Sequence, residues 1–581
     1  MNENRKGSMR STNSIDDPNI VRSPLAEEYA NLAIPDVPFT DILFRAIDAN
    51  YEAFKDRVWV GDVLTGVSYK YRDIKPMARK IASMLTRMGF KKGDVMFYCT
   101  YECALIYLLS IGVWLCGGAI RSCFHKDERE LYLRRMRESL ARFAICDSET
   151  ADSVKWAASQ LDWSVTILSI GGEVEGALSI QDLIKNEDCS AYPENVKINT
   201  KQDISLITNT SGSTGVPKGV ICTYHSFTEY LLSAVMGRSI VGDKGSSILT
   251  TLRNTYSSIF FTACTYLLRG ASVLTVSKFE ANAFTESILK YKPAALLVYP
   301  HELHAFLQPD KIKDNDFSFI RAVGSLGSVL HYSTAKKLEA LLPQVKLMST
   351  YGTSEALVVA SSRYGGNPEI KNPEYEGIVA GVKYITFEGD PHLSCGPLFP
   401  GAMAKIVDPT SGISLGRNTK GTLLIKSTIL MKGYLHGTIK ELTTGLNDDG
   451  WYDTGDEGFF DEDGCLYIMG RNKFTFKHCA HWVSPTNVET VIMSHPAVES
   501  AVVVGVPNPE TTADAKAYVI LKPGCTATAE EIEAYVAGKA EEHKHLHGGV
   551  AFVDKFPFSS GGKIDRPALL KRAIEESTHA A

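Results

Sequence analysis

The sequence predicts an α/β protein with more than one domain, and three observations support this. The chain has 581 residues, more than one hydrophobic core usually serves. Its 44% apolar and 22% charged residues are ordinary for a globular protein. Between about residues 34 and 201, segments with helical periodicity alternate with short apolar segments. Such alternation is typical of largely parallel sheets flanked by helices.

Two segments illustrate this pattern. Residues 73–88 carry apolar side chains at steps of three and four, and Gly89 follows in the usual position beyond a helix end. The uncharged segment 104–120 has seventeen residues, which is the lower limit for a membrane span. Because it carries two glycines near its end, we interpret it as a buried core helix. We therefore expect no transmembrane segment.

Charge and cysteine usage narrow the function classes. The net charge of −6 gives no electrostatic reason to expect nucleic acid as a partner. The twelve cysteines show no Cys-x-x-Cys pair, and the N-terminus does not read as a signal peptide. The chain ends without Ser-Lys-Leu, so a peroxisomal address is not supported and a cytoplasmic location is expected. Residues 1–33 begin with a polar stretch and are predicted to form a disordered extension.

Residues 210–219 are the most informative segment of the chain. They contain three glycines, four hydroxyls and Lys218, directly after the apolar β-branched segment 204–208. Successive backbone N–H groups in such a loop form an anion-binding concavity, and lysine adds a compact positive charge. The spacing differs from a Walker A loop, in which Ser or Thr follows the lysine directly. A surface linker would need neither Pro217-Lys218-Gly219 nor apolar strands on both sides.

The motif Thr-Ser-Gly-Ser-Thr-Gly-x-Pro-Lys-Gly resembles the phosphate loop of the adenylate-forming superfamily. This superfamily includes acyl-CoA synthetases, 4-coumarate-type CoA ligases, firefly-type luciferases and peptide-synthetase adenylation domains. The resemblance implies a large domain over 34–472, made of stacked α/β subdomains with mixed β-sheets and a small β-barrel-like part. It also implies a small mobile α+β domain over 473–581, with the hinge near Lys473. The implied ligands are ATP, Mg²⁺, coenzyme A and a small carboxylic acid.

The resemblance assigns the phosphate-binding role to the loop itself. Lys218 and the loop hydroxyls would hold the β- and γ-phosphates, and Thr214 is a second candidate ligand of Mg²⁺. The loop residues expected to bind the nucleotide are Thr210, Ser211, Gly212, Ser213, Thr214, Gly215 and Lys218.

A second element, 347–355, ends an apolar strand in Tyr351-Gly352-Thr353-Ser354-Glu355. Tyr351 offers an aromatic face to a purine, and Gly352 lets backbone approach the nucleotide. Ser354 can bond a phosphate, and Glu355 can hold Mg²⁺, which prefers carboxylate and phosphate oxygens. An equally good local interpretation makes Ser354 the N-cap of a helix.

A turn at Gly324-Ser325 resembles the one that lies beside the adenine ring in the superfamily. Any tight turn favours glycine, so this signal alone is weak.

The third element lies between 451 and 484. Asp456 resembles the carboxylate that accepts bonds from both ribose hydroxyls, a geometry that suits a bidentate acceptor. Arg471 would bind ribose or phosphate, and Lys473 occupies the hinge position. Lys477 lies on a segment that resembles the loop used by the superfamily in the thiol-dependent step. Here the chain departs from the superfamily, because Ala480 stands where a glycine is typical.

Lys563 follows Gly561-Gly562 near the C-terminus and resembles the superfamily's catalytic lysine. The expected catalytic residues are therefore Lys563, Lys218, Glu355 and Lys477. Four residues are predicted to line the acyl pocket: Tyr224, Thr255, Tyr256 and Tyr299. Thr255 stands about where the superfamily carries a histidine after an aromatic residue.

The resemblance therefore implies an AMP-forming carboxylic acid:CoA ligase that acts on a fatty or aromatic acid in two steps. An acyl adenylate and pyrophosphate form first, and CoA then takes the acyl group after rotation of the small domain. One alternative, motivated by Ala480, transfers the acyl group to a carrier protein, an amine or oxygen. A second alternative is a nucleotide-binding pseudoenzyme, against which the retained charged residues argue.

Overall fold

The computed structural model describes residues 17–101, 104–210, 218–236, 245–362, 371, 374, 376–387, 389–471, 474–479 and 481–580. The helices are α1 (Ala26–Ala30), α2 (Phe39–Ala49), α3 (Tyr51–Phe54), α4 (Tyr71–Arg87), α5 (Leu105–Leu115), α6 (Arg129–Ser139), α7 (Ala151–Ser159), α8 (Ile180–Lys185), α9 (Tyr224–Met236), α10 (Ser257–Leu268), α11 (Ala281–Tyr291), α12 (Pro300–Phe306), α13 (Pro309–Lys313), α14 (Tyr332–Leu341), α15 (Pro485–Met493), α16 (Ala529–Ala537) and α17 (Arg566–Ala580).

The strands are β1 (Val21–Arg22), β2 (Val58–Asp62), β3 (Ser68–Lys70), β4 (Val95–Cys99), β5 (Ala119–Ser122), β6 (Phe143–Cys146), β7 (Thr166–Ser169), β8 (Leu178–Ser179), β9 (Ile204–Asn209), β10 (Gly219–Thr223), β11 (Ser247–Thr250), β12 (Ser272–Thr275), β13 (Ala295–Val298), β14 (Ala322–Ser325), β15 (Lys346–Tyr351), β16 (Ala360–Ser361), β17 (Glu376–Val379), β18 (Val382–Phe387), β19 (Asp390–Gly396), β20 (Ala402–Val407), β21 (Ser414–Leu415), β22 (Gly421–Ser427), β23 (Gly433–His436), β24 (Thr438–Thr443), β25 (Tyr452–Phe460), β26 (Leu466–Arg471), β27 (Phe476–His478), β28 (His481–Val483), β29 (Val498–Asn508), β30 (Thr512–Leu521) and β31 (Val550–Phe552).

Two mixed sheets form the larger part of the molecule. The first has the order β24-β23-β10-β9-β5-β4-β6-β7-β8, and its strands from β9 to β8 run parallel. The second has the order β16-β15-β14-β13-β11-β12-β2-β3, with parallel pairing from β15 to β2. Parallel neighbours need crossover connections, which the alternating helices provide. The alternation in the sequence therefore predicted this arrangement.

Two further sheets complete the fold. An antiparallel sheet has the order β1-β20-β22-β25-β26-β19-β18-β17, with β21 beside β20. The C-terminal segment forms its own sheet, β28-β27-β30-β29, to which β31 adds in parallel. Helices α15, α16 and α17 lie in the same segment. The predicted fold class, mixed α/β sheets followed by a small α+β part, is confirmed. The exact domain boundaries stay a prediction.

The N-terminal extension is a correction to the sequence prediction. Residues 1–16 lie outside the described part of the chain, but residues 17–33 are ordered and contain β1 and α1. Val21 pairs with Ala404 and is 4% exposed, so it belongs to the core. Its backbone completes the edge of the antiparallel sheet. The local composition could not show this, because the pairing partner lies almost 400 residues away.

Helix α5 is the apolar segment that the sequence placed in the core. Every residue from Leu105 to Trp114 is buried, which fits a helix that is apolar on all sides. It packs against α4, where an added Cβ at Gly112 would lie 2.3 Å from Ile81 Cγ2. Within the described ranges, no helix has both the length and the apolar character that a membrane span requires.

An aromatic cluster fixes α2 against α5, α9 and α10. Phe39 is fully buried, stacks on Phe227 at a centroid distance of 4.1 Å, and meets the edge of Trp114 at 4.9 Å. Phe227 in turn lies 4.2 Å from Phe261. Aromatic pairs at these distances add to the stabilisation from burial.

We expect Phe39→Ala to reduce the free energy of unfolding by roughly 3–5 kcal/mol, because it removes a large buried ring. Urea unfolding followed by circular dichroism would measure the change. Phe552→Ala is the matched control, since Phe552 is 39% exposed. Equal shifts of the two urea midpoints would contradict this account of the core.

Candidate active site

A cavity of about 570 Å³ lies where the second sheet, α9, α10 and the C-terminal segment meet. Strands β13, β14 and β15 are parallel neighbours, so their carboxyl ends share one edge, the usual ligand-binding edge of α/β sheets. Ten of the residues predicted from the sequence line this cavity: Thr210, Lys218, Tyr256, Tyr299, Gly324, Gly352, Ser354, Glu355, Arg471 and Lys563.

The mouth of the phosphate loop is closed by a hydrogen-bonded pair. The Thr210 backbone N–H donates to Lys218 O at 3.0 Å, and the Lys218 N–H donates to Thr210 Oγ1 at 3.0 Å. Strands β9 and β10 continue this hairpin, with Asn209 opposite Gly219. The predicted residues Ser211, Gly212, Ser213, Thr214 and Gly215 lie outside the described residues.

Glu355 and Lys218 are joined through one tyrosine. The Tyr434 hydroxyl donates to Glu355 Oε1 at 2.9 Å, and Lys218 Nζ lies 5.0 Å from the centroid of the same ring. The ring face attracts the ammonium group. All three residues line the cavity, together with Tyr452. A carboxylate and a lysine are thereby held next to each other, with the tyrosine setting their separation.

The Glu355 carboxylate suits a magnesium ion that is bound together with phosphates. Mg²⁺ is usually held by one or two carboxylates plus phosphate oxygens and water. Glu355 is 8% exposed, and its Oε1 accepts the bond from Tyr434. Among the described residues, no group of three or more His, Cys, Asp or Glu side chains could hold a metal ion by itself. Glu355 could supply one carboxylate ligand to an ion that also binds phosphate oxygens.

Asp456 lies between Tyr351 and Arg471 near the cavity. The Tyr351 hydroxyl donates to Asp456 Oδ2 at 2.5 Å, and Arg471 Nε lies 2.8 Å from Oδ1. Burial raises the pKa of the Asp456 carboxyl, although Arg471 and Tyr351 act in the opposite direction. Strands β25 and β26 bring the pair together, since Asp456 and Arg471 are register partners.

The segment after β15 is a turn and not a helix, so the N-cap interpretation of Ser354 is wrong. The Ser354 hydroxyl instead donates to Asn209 O at 3.2 Å and ties this turn to β9. Gly352 is required by the close approach of another backbone segment. A Cβ at Gly352 would lie 1.9 Å from Leu357 O.

Lys563 reaches the cavity from a loop of the C-terminal segment. The Tyr256 hydroxyl donates to Gly561 O at 2.9 Å, and Lys563 Nζ lies 5.9 Å from the Tyr256 ring centroid. Two glycines make this contact feasible. A Cβ at Gly561 would lie 2.0 Å from Tyr256 Oη, and Gly562 has a φ of +78°. The Gly-Gly-Lys motif therefore has a steric reason beyond the flexibility of a surface loop.

The ammonium group of Lys563 sits in an unfavourable environment. Burial lowers its pKa to about 8, and the nearby Arg471 cation acts in the same direction. The Asp456 and Glu355 carboxylates oppose this shift. An anionic ligand between Lys563 and Arg471 would relieve the repulsion.

Two residues predicted to line the acyl pocket lie elsewhere. Tyr224 is fully buried, and its hydroxyl donates to Gly118 O at 2.8 Å and Trp114 O at 3.0 Å. Thr255 is also buried, and its carbonyl accepts a bond from Ser122. Both therefore support the core between the first sheet and α10.

Other predicted residues stand apart from the cavity wall. Ser325 is buried at the end of β14, beside the lining residue Gly324. Lys477 is exposed on β27, which pairs with β28 in the C-terminal sheet. Lys473 and Ala480 lie outside the described residues.

Comparison with known proteins decides the family. The profile of the AMP-binding enzyme family matches residues 47–435, about two thirds of the chain, and that of its C-terminal domain matches residues 487–563. The chain belongs to the AMP-binding enzyme family. The resemblance to the adenylate-forming superfamily is thereby confirmed.

Relatives of this AMP-binding enzyme carry different activities in their names. It is 25% identical to 4-coumarate–CoA ligase-like 1 of Arabidopsis thaliana over 552 residues, which covers 94% of this chain and 96% of the relative. It is 26% identical to a luciferin 4-monooxygenase of Nipponoluciola cruciata, with 87% and 90% covered.

Solved structures confirm the fold. The anthranilate CoA ligase AuaEII with anthranoyl-AMP has a TM-score of 0.79 at 23% identity, with 95% of this chain and 99% of that chain covered. The amide bond synthetase McbA from Marinactinospora thermotolerans has a TM-score of 0.74 at 22% identity, with 92% and 100% covered. These identities support the shared fold of the AMP-binding enzyme and leave its acceptor open.

The sequence prediction missed two groups of cavity residues in this AMP-binding enzyme. Tyr434 lies near Lys218 and Glu355 but belongs to no motif used above, and Tyr452, although it lies in the third element, was given no role. The second group is one face of α10: Ser258, Phe261, Thr262, Thr265 and Tyr266. Their spacing of three and four residues marks a single helix face. Hydroxyl residues at that spacing in an otherwise apolar helix are the sequence pattern that could have identified this face.

We expect the Lys563 amine of the ligand-free AMP-binding enzyme to titrate near pH 8, well below an ordinary lysine at about 10.4. Acetic anhydride labels only neutral amines, so brief labelling at a series of pH values, quantified by mass spectrometry, gives the midpoint. Arg471→Met should raise that midpoint, because it removes a repelling cation. A wild-type midpoint near 10 would contradict the buried environment.

Proposed function

We propose that the protein is an ATP-dependent, AMP-forming carboxylic acid:CoA ligase. The observation that carries the proposal is the position of Lys563 in one cavity with Lys218, Arg471 and Glu355. Three cations suit a triphosphate bound next to a carboxylic acid, and the wall also carries the Glu355 and Asp453 carboxylates. The CoA ligases and the luciferin monooxygenase among the relatives support adenylation as the shared step.

In the first step, a carboxylate oxygen of the acid attacks the α-phosphorus of ATP. The bond from the α-phosphorus to the bridging oxygen breaks, and pyrophosphate leaves with the electron pair. Negative charge accumulates on phosphate oxygens during this displacement, so cations positioned in advance stabilise the transition state. Lys563 would bridge the carboxylate and the α-phosphate, while Lys218 would hold the outer phosphates. Mg²⁺ held by Glu355 would neutralise further phosphate charge.

In the second step, the CoA sulfur attacks the acyl carbon of the adenylate. The carbon–oxygen bond to AMP breaks, the thiol proton is lost, and AMP leaves. Here Lys563 occupies the cavity and Lys477 is exposed outside it, an arrangement that suits the first step. We infer that rotation of the C-terminal segment about a hinge near Lys473 exchanges the two lysines. That rotation would break the Tyr256–Gly561 hydrogen bond.

We expect Lys563→Ala to lower ATP–pyrophosphate exchange by at least ~10²-fold, the usual scale for one lost transition-state contact. Lys477→Ala should leave this exchange intact and slow only the transfer of the acyl group from preformed acyl-AMP to CoA. The reciprocal pattern makes each variant the control for the other. Full-rate exchange by Lys563→Ala would remove that lysine from the mechanism.

The decisive experiment incubates the purified protein with ATP, Mg²⁺ and a mixed panel of carboxylic acids, with and without CoA. Mass spectrometry of the products should show an acyl-CoA, which also identifies the acid. Acyl-AMP that CoA does not consume would favour an amine, a carrier protein or oxygen as the acceptor, and would implicate Ala480. ATP binding without pyrophosphate release would indicate a pseudoenzyme.

A further inference from the structure

One face of α10 lines the cavity with hydroxyls. The helix contributes Ser258, Thr262 and Thr265, spaced so that they lie on one face. Apolar residues also line the cavity: Leu297, Leu326, Met348, Leu357 and Val358. A purely apolar acyl chain would gain nothing from the α10 hydroxyls. A ligand with an apolar body and a polar group that faces α10 would use both kinds of residue.

Thr265 differs from the other threonine on this helix face. The Thr262 hydroxyl donates to Ser258 O at 2.7 Å, the usual bond from a helical threonine to the carbonyl four residues earlier. Thr265 is 4% exposed, and its Oγ1 is buried without a hydrogen-bond partner in the structure. Buried hydroxyls are normally bonded, and leaving one unpaired is destabilising.

The Thr265 hydroxyl can therefore turn toward a ligand without losing a bond. Helical threonine occupies two χ1 wells, and rotation between them moves Oγ1 around Cβ. Thr265 already forms part of the cavity wall. A polar group on a bound acid would give this hydroxyl the partner that it lacks among the described residues.

The position of Thr265 along α10 sets the length of the ligand. Lys563 Nζ lies 5.9 Å from the ring of Tyr256, which directly precedes α10. Thr265 lies seven residues beyond Ser258 and nine beyond Tyr256, or roughly 10–14 Å along the axis at about 1.5 Å per residue. An extended alkyl chain advances about 1.25 Å per bond, given C–C bonds of about 1.5 Å, so about eight to eleven bonds span this distance.

We propose that Thr265 forms a polar subsite that selects elongated carboxylic acids bearing a hydroxyl or carbonyl group about 10 Å or more from the carboxylate. This inference rests on the proposed adenylation and goes further by defining the class of acid. The carboxylate lies at Lys563, the apolar body lies against Leu297 and Met348, and the distal oxygen hydrogen-bonds to Thr265.

The test compares straight-chain acids of six to fourteen carbons with their ω-hydroxy analogues in the pyrophosphate-release assay. We expect the hydroxy acid to have a higher kcat/KM than its parent acid only at about ten carbons. The ratio of the two kcat/KM values should reach about tenfold there, which is the scale of one net hydrogen bond. At shorter lengths the ratio should fall below one, because the hydroxyl is then buried among apolar side chains.

Three variants test whether the Thr265 hydroxyl causes the preference for hydroxy acids. Thr265→Val keeps the shape and removes the hydroxyl, so the ratio near ten carbons should fall below one while the parent acids are still adenylated. Thr265→Ser should restore the preference. Thr285→Val is the matched control, because Thr285 is buried on α11, bonds Ala281 O at 2.9 Å, and does not line the cavity.

The outcomes separate the two proposals. Adenylation of parent and hydroxy acids at equal rates for every length would overturn the subsite and leave the proposed function standing. The subsite would also be overturned if only acids too short to reach Thr265 were adenylated. An unchanged preference for hydroxy acids in Thr265→Val would overturn it as well. Failure to release pyrophosphate with any acid would overturn the proposed function itself.

Discussion

The docking of the Gly561-Gly562-Lys563 loop against Tyr256 is the contact on which the candidate chemistry depends. The cavity walls come from the large α/β part of the chain, but the lysine that completes the cation set comes from the C-terminal segment. The loop approaches so closely that no side chain fits at Gly561. The Tyr256 hydroxyl donates to Gly561 O, Arg253 Nη1 donates to Ser560 O at 3.5 Å, and the rings of His301 and Phe558 are in contact.

Charged groups of both signs meet at the cavity. Lys563, Arg471 and Lys218 line it together with the Glu355 and Asp453 carboxylates, and burial lowers the pKa of Lys563 to about 8. Asp456 and Glu355 are already engaged by Arg471 and Tyr434. The protein therefore holds charged groups in place before substrate arrives, which is the condition for stabilising charge without reorganisation during the reaction.

Two parts of the cavity wall differ in how their polar side chains are hydrogen-bonded. Around Lys218 and Glu355, side chains are bonded to one another in fixed pairs, such as Glu355 with Tyr434. Along α10, the wall carries hydroxyls, and the one on Thr265 has no hydrogen-bond partner among the described residues. A reaction step common to many substrates needs side chains in fixed positions. Selection among acids needs a polar group that forms a hydrogen bond only with the preferred acid.

By itself, the sequence determined the fold class and most charged residues of the site, because periodicity and short motifs are local properties of the chain. Lys563 was singled out because the loop around it resembles the catalytic loop of the superfamily. Only the tertiary structure showed the remaining aromatic and hydroxyl residues of the cavity wall. Tyr224 was predicted in the pocket and lies in the core, while Thr265 was not predicted and lines the cavity. The reason is physical: which face of a helix meets a cavity depends on packing between segments far apart in sequence, and local patterns carry no record of it.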